Sequence, residues 1–470
     1  MNQRVAAEVS EVVEEVAPAA EPGGYRRLWE LAWPVATSTS TVTLVTLVNL
    51  FWMGHLGTVA LAAVSVCGNI LFIVFGLSNI VYTGALAIVA RRVGERNLAH
   101  AARATRHALL LGGLLGVIVV LLGYVTAPAV VGFFGAGTDV EAIAVPYLKI
   151  MYLGQLPLYL GVALSACYQA AGNTRVPMLV NVGVVLANGI ADPFFIFKPG
   201  EISAAGVPLG WLGWGANGAA IAAVLASAAG TAIFLSLSLV RRHPFPAVRD
   251  GGGLALTELW QMVRIGTPAS ITQIARPLST FLLLKVIASF GTTAIAAFGI
   301  AMRSFGVNWI PYSGIHVAIS ALVGQNLGAH RLRDAEHVVR RGLVVTTVLG
   351  LIFCVLYYVG ARSIMLAFDH EPAVVAAGES FLKLIALSFL FSGPMLPLGS
   401  AMTGAGDTKP PMIAAFVANW LVKIPLAYLL AVSLGYGING VWFGMFVSIV
   451  FESLVMFACY RRGTWKTKRV

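Results

Sequence analysis

The sequence predicts an all-α integral membrane protein: twelve transmembrane helices, arranged as two six-helix bundles related by an internal repeat. Three observations predict it. Hydrophobic residues make up 58% of the 470 and charged residues only 11%, with a mean hydropathy of +0.84; a soluble domain carries roughly 25% charged residues. Twelve apolar segments are each long enough to cross a bilayer core of ~30 Å at 1.5 Å per residue. One numerical offset maps the first half of the chain onto the second. Glycine, at 50 residues, suits helices that approach closely through small side chains.

In chain order, residues 1–24 are rich in Ala, Val, Glu and Pro and lack a basic flank followed by an apolar core. They read as a disordered cytoplasmic tail rather than a signal peptide. The N-lobe, 25–240, holds spans near 28–53, 61–90, 107–130, 142–170, 178–197 and 214–240. A cytoplasmic linker, 241–258, precedes the C-lobe, 259–460, with spans near 260–288, 294–326, 340–362, 374–402, 411–432 and 438–460. A basic cytoplasmic tail, 461–470, closes the chain. Pro34, Pro157, Pro268, Pro311, Pro394, Pro397 and Pro425 interrupt spans and predict bends. Cys67, Cys167, Cys354 and Cys459 lie within or at the ends of apolar runs without metal-like spacing and read as small hydrophobes.

Basic residues set the orientation. Arg91, Arg92, Arg96, Arg103 and Arg106, then Arg241, Arg242 and Arg249, then Arg331, Arg333, Arg340 and Arg341 fall in alternate connections. The opposite loops hold Asp139, Glu141, Glu201, Asp369 and Glu371. The positive-inside rule then places both termini in the cytoplasm of a cell membrane protein, which requires an even number of spans. The net charge of +11 is spent on this asymmetry, so no nucleic-acid partner is expected.

Adding 234 carries Pro34 to Pro268, Gly94 to Gly328, Ala171-Gly172-Asn173-Thr174 to Ala405-Gly406-Asp407-Thr408 and Pro177-Met178 to Pro411-Met412. Later the offset falls to 222, because the first half has a twelve-residue excess around Lys198–Gly210. Six spans per half give the copies the same orientation, related by an axis along the membrane normal, as in alternating-access transporters.

Over all twelve spans the chain resembles the multidrug and toxic compound extrusion (MATE) transporters, most closely their DNA-damage-inducible-protein-F-like branch. The residues that carry this are NLFWMGHLG after the first proline-bearing span, the paired turns AGNTRVPM and AGDTKPPM, and NGIADP in the fifth span. The resemblance implies the MATE fold of the MOP superfamily, two six-helix lobes in a V, and proton- or sodium-coupled export of amphipathic compounds. It also implies that Asn188 and Asp192 belong to an N-lobe coupling network and that Pro34 is the first-span proline whose bending accompanies protonation. The family's first-span aspartate is Asn49 here, which cannot titrate. The glutamate of the sodium-coupled branch is Arg276, which argues against that branch's C-lobe cation site.

Asp192 is the pivotal residue. A charge at the centre of a span costs at least ~2.5–3.5 kcal/mol, and Asn188, four residues earlier, shares its helical face. Asp192 is expected to couple proton entry to substrate exit, with Asn188 and Asn49 completing its network; the alternative is a structural acid permanently satisfied by these amides. In the second half Arg276 and Lys285 lie in the seventh span, Arg303 in the eighth, and Lys423 in the eleventh close to the repeat counterpart of Asp192. These bases are cavity candidates for an anionic or zwitterionic group on the substrate; the alternative is neutralisation by Glu452 or snorkelling. His316 reads as packed and hydrogen-bonded rather than a proton shuttle, and Asn173, Thr174, Asp407 and Thr408 as turn formers.

The functional expectation is a proton-coupled exporter, monomeric and held in the lipid bilayer, that moves small amphipathic organic molecules. It requires no cofactor; H+ is the coupling ion and Na+ the alternative. A flippase for lipids or lipid-linked precursors is the rival reading. No GxxxxGK[ST] loop is present and no His/Asp/Glu cluster suggests an enzyme.

Overall fold

The computed structural model describes residues 24–135, 137–204, 207–239, 253 and 255–468. The expected N-terminal tail, most of the linker and the last two residues lie outside the described residues. The first half holds α1 (Tyr25–His55), α2 (Thr58–Gly94), α3 (Leu98–Phe133), α4 (Thr138–Leu153), α5 (Gln155–Ala170), α6 (Arg175–Ile196) and α7 (Gly215–Leu239). The second holds α8 (Leu256–Ala288), α9 (Thr292–Gly306), α10 (Trp309–Gly328), α11 (Leu332–Leu366) and α12 (Pro372–Gly404). It continues with α13 (Lys409–Ser433) and α14 (Ile438–Arg462), and a final turn, α15 (Thr464–Thr467).

The repeat is visible in the helix starts. Adding 234 to 58, 98, 138 and 175 gives 292, 332, 372 and 409, where α9, α11, α12 and α13 begin. Among the described residues ten single helices are long and apolar enough to cross a membrane, and α4 with α5 forms an eleventh span bent by 43°. The predicted eighth span is likewise divided, into α9 and α10. Both breaks have a proline just downstream. Pro157 cannot donate to the Leu153 carbonyl, nor Pro311 to that of Val307, so each helix ends and restarts with its proline in the new first turn. Pro34, Pro268, Pro394 and Pro397 sit inside uninterrupted helices. Ahead of Pro425, Val417–Lys423 is π-helical.

Not every element is helical. The excess around Lys198–Gly210 contains a two-stranded antiparallel hairpin, β1 (Ile202–Ala204) and β2 (Val207–Leu209), with Ile202 opposite Leu209. Trp211 and Gly213 donate backbone bonds back to the Phe197 carbonyl. An insertion between spans has to satisfy its own peptide groups, and pairing with itself does so.

The chain forms two compact units. Among described residues, unit 1 comprises 37–93, 97–239, 253 and 255–263, and unit 2 comprises 24–36, 94–96 and 264–468. The division expected at the linker is therefore displaced on two helices. The first turns of α1 belong to unit 2, where Leu28, Leu31 and Ala32 pack with Ile315, Ala318 and Ile319. The first turns of α8 belong to unit 1, where His107 Nδ1 meets Glu258 Oε2 at 2.9 Å and His107 Nε2 accepts from the Ala255 N–H at 3.1 Å.

Unit 2 has a core around Trp442, stacked on Phe298 with ring centroids 5.8 Å apart and edge-on to Phe381. Its helices α11 and α12 touch backbone to backbone. A Cβ on Gly350 would lie 2.6 Å from the Phe389 oxygen, and one on Gly393 2.6 Å from the Thr346 oxygen. The final turn folds onto the same unit: Trp465 is fully buried in the core, and the Thr464 hydroxyl donates to Asp407 Oδ2 at 2.6 Å.

Candidate coupling and substrate sites

Each unit contains a buried polar network built around an acidic side chain inside its apolar helices. In unit 1, α6 carries Asn188 and Asp192 one turn apart, and α1 brings Asn49 to them. Asp192 is completely buried, the one buried acidic residue of the first half among the described residues. Asn188 Nδ2 donates to Asp192 Oδ1 at 3.0 Å, and Asn49 Nδ2 donates to Asn188 Oδ1 at 3.2 Å. The Asn49 oxygen faces Asp192 Oδ2. Turning that amide over would instead place its nitrogen 2.6 Å from Asp192 Oδ2 and 3.1 Å from the Val45 carbonyl. Asp192 makes no ion pair among the described residues. Its hydrogen-bond partner is the neutral Asn188 amide.

In unit 2 the network is charged. Arg276 on α8 pairs through Nη2 with Glu452 Oε1 on α14. Glu452 Oε2 accepts from Asn419 Nδ2 at 3.2 Å. Asn419 Oδ1 accepts from Lys423 Nζ at 3.0 Å, and Lys423 Nζ also reaches Thr280 Oγ1 at 3.2 Å. The Asn419 amide thus turns its oxygen to the cation and its nitrogen to the acid. Lys423, Glu452 and Asn419 are buried, whereas the Arg276 side chain is 40% exposed. Two cations face one anion.

Of the four bases singled out from sequence, two lie in this network. Lys285 is exposed in the last turn of α8 and Arg303 is exposed in the last turn of α9. Neither joins the network: Lys285 falls at the end of its span, where a long cationic chain can reach out of the apolar layer, and Arg303 falls at the break between α9 and α10. Lys423 also stands somewhat apart from the counterpart of Asp192. In the 234 register Asp192 maps to Leu426, whereas Lys423 maps to Gly189 (423 − 234 = 189), three residues earlier.

Sequence reasoning missed Asn419, which bridges Lys423 to Glu452, and Thr280, whose hydroxyl meets Lys423 Nζ. For Asn419 the signal was present, four residues from Lys423 on the same face; Thr280 meets Lys423 from another helix, which no local spacing shows. His316 Nδ1 lies 2.8 Å from the Ser400 hydroxyl. Asn173 Oδ1 accepts from the Val176 N–H at 3.2 Å. The Thr408 hydroxyl reaches beyond its turn to the Ile265 carbonyl at 2.6 Å.

Comparison with known proteins agrees with this architecture. The chain is 23% identical over 445 residues to a probable multidrug resistance protein NorM of Thermotoga maritima, covering 95% of this chain and 94% of that one. It is 29% identical to a protein of the same description from Deinococcus radiodurans, covering 91% and 93%. Its fold superimposes on a MOP-superfamily transporter from Pyrococcus furiosus with a TM-score of 0.86 at 20% identity, over 97% of this chain and 99% of that one; that protein is described as having a binding pocket of reverse polarity that suggests a different function. The MatE family profile matches twice, over residues 34–194 and 268–429. The two matches start 268 − 34 = 234 positions apart, the register of the repeat. The chain therefore belongs to the MatE family, the multidrug and toxic compound extrusion transporters.

Proposed function

We propose that the protein is a secondary active exporter of small amphipathic organic molecules, driven by proton antiport and working by alternating access, with both termini in the cytoplasm. The observation that carries the coupling is the fully buried Asp192, which accepts from the Asn188 amide and makes no ion pair among the described residues. A carboxyl held by an ion pair stays charged, whereas one held by amides can take up and release a proton as water reaches it. Asn49 can serve both states. Its amide nitrogen can donate to the carboxylate, and its oxygen can accept from the protonated acid. An asparagine at this position therefore leaves a single titrating group in the network.

The charged network of unit 2 supports a substrate with an anionic or zwitterionic group. A lipid-linked precursor carries such a group as well, so a flippase is the second reading. The test uses inverted vesicles loaded with the protein, with and without an imposed pH gradient. A coupled exporter takes up substrate only with the gradient and loses this dependence on Asp192→Asn, with the variant still inserted. Full gradient-driven uptake by that variant would remove the coupling role. Gradient-independent equilibration of a lipid probe would favour the flippase.

A further inference from the structure

We propose that Glu452 is a built-in counter-anion. It occupies Arg276 when the transporter is empty, and the anionic group of the substrate, a carboxylate or a phosphate, takes its place there. The inference rests on the reading above that the substrate carries such a group.

Arg276 is the open end of the network. Its side chain is 40% exposed while that of Glu452 is 7% exposed, so an incoming anion meets the guanidinium first. The guanidinium is also underused. Its Nε is buried with no hydrogen-bond partner, and Glu452 engages it through Oε1 while Oε2 turns to Asn419. A guanidinium presents paired N–H groups that match both oxygens of a carboxylate or phosphate, and here one partner takes only part of that edge. An exogenous oxyanion can satisfy it more fully than Glu452 does.

Glu452 has somewhere to go. Asn419 already bridges it to Lys423, with its nitrogen on the acid and its oxygen on the ammonium. Displaced from Arg276, Glu452 keeps a cation within reach on its own side of the network. Neither base is then left unpaired in the apolar layer, where an uncompensated charge is costly. The π-helical stretch Val417–Lys423 carries both Asn419 and Lys423, and π-segments recur at functional sites. The consequence for transport is that affinity is held down on purpose: a substrate anion bound against an internal competitor is released when the protein changes state.

The test measures binding of carboxyfluorescein, an anionic probe, and ethidium, a cationic one, to the purified full chain in detergent by fluorescence anisotropy. Glu452→Gln removes the competitor and is expected to bind carboxyfluorescein about tenfold tighter, the scale of one charge-assisted bond to a partly exposed guanidinium. Ethidium binding is expected to hold or weaken. Glu452→Asp keeps the charge but shortens the reach; it should give a smaller gain and supplies the same comparison if the amide variant does not fold. Arg276→Gln should lose most carboxyfluorescein binding. If Glu452→Gln and Glu452→Asp bind the anion no more tightly than the parent while Arg276→Gln still loses it, the counter-anion role is overturned and the anionic-substrate reading survives. If the parent and all variants bind ethidium but no carboxyfluorescein, both fall together.

Discussion

The two halves share a backbone plan yet carry opposite chemistry in their interiors. In the first, α1 and α6 enclose one acid among amides; in the second, α8, α13 and α14 enclose two bases around one acid. The repeat counterparts of the key residues are inert. Asn49 maps to Leu283 and Asp192 to Leu426 in the 234 register, and Glu452 maps to Gly230 in the 222 register (452 − 222 = 230). The counterpart positions differ in available space as well. A Cβ on Gly230 would lie 2.2 Å from Val184 Cγ2, so α6 and α7 pack where the other half holds a carboxylate. The duplication therefore preserved helix starts and close approaches, while polarity diverged site by site.

Exchanging residues between the halves tests that divergence. Gly230→Glu, which writes the second half's acid into the first, should have the largest effect. With no room and no base, it should cost about 3–5 kcal/mol and appear as a large drop in the melting temperature of purified protein. A near-native melt would mean that the α6–α7 contact is looser than its geometry states. Asp192→Leu, which writes the second half's Leu426 into the first, should leave a folded protein whose proton-driven uptake falls on the order of a hundredfold, the usual worth of a positioned proton-transfer group. Uptake in vesicles under a fixed pH gradient measures it, and retention of half the parent rate would dissolve the asymmetry.

Asn49→Leu should act more mildly. It removes one interhelical amide contact worth about 0.6 kcal/mol, roughly threefold in an equilibrium, and should shift the pH dependence of uptake without abolishing it. Complete loss of transport would make Asn49 an equal partner of Asp192. The smallest effect on transport is expected from Pro157→Ala, which costs about 0.4–1 kcal/mol of stability. It returns a donor to the Leu153 carbonyl and should reduce the 43° bend, as read by spin-label distances across Gly154. An unchanged bend would shift the cause from the proline to packing.

Much of this could be read from residues alone. The i, i+4 spacing of Asn188 and Asp192 put them on one face, and the repeat set the helix starts to the residue in four places. The prolines at 157 and 311 marked the two broken spans, but Pro34, Pro268, Pro394 and Pro397 lie inside continuous helices and Pro425 follows a π-helical stretch, so proline alone does not say which span breaks. The hairpin at 202–209 was legible only as surplus length. Lys285 and Arg303 were read as cavity candidates because an apolar run does not reveal how far along the span a base sits relative to the helix end.

Hydropathy, charge placement and the register of repeats act along the chain. For that reason the sequence by itself determined the class, the spans, the twofold plan and the rarity of Asp192. The tertiary structure decided who meets whom: Asn49 with Asn188 across 139 positions, Arg276 with Glu452 across 176, and the first turns of α1 and α8 with their respective units. Those meetings depend on how each helix is rotated about its own axis. Side-chain packing over the whole bundle sets that rotation, and no local pattern encodes it.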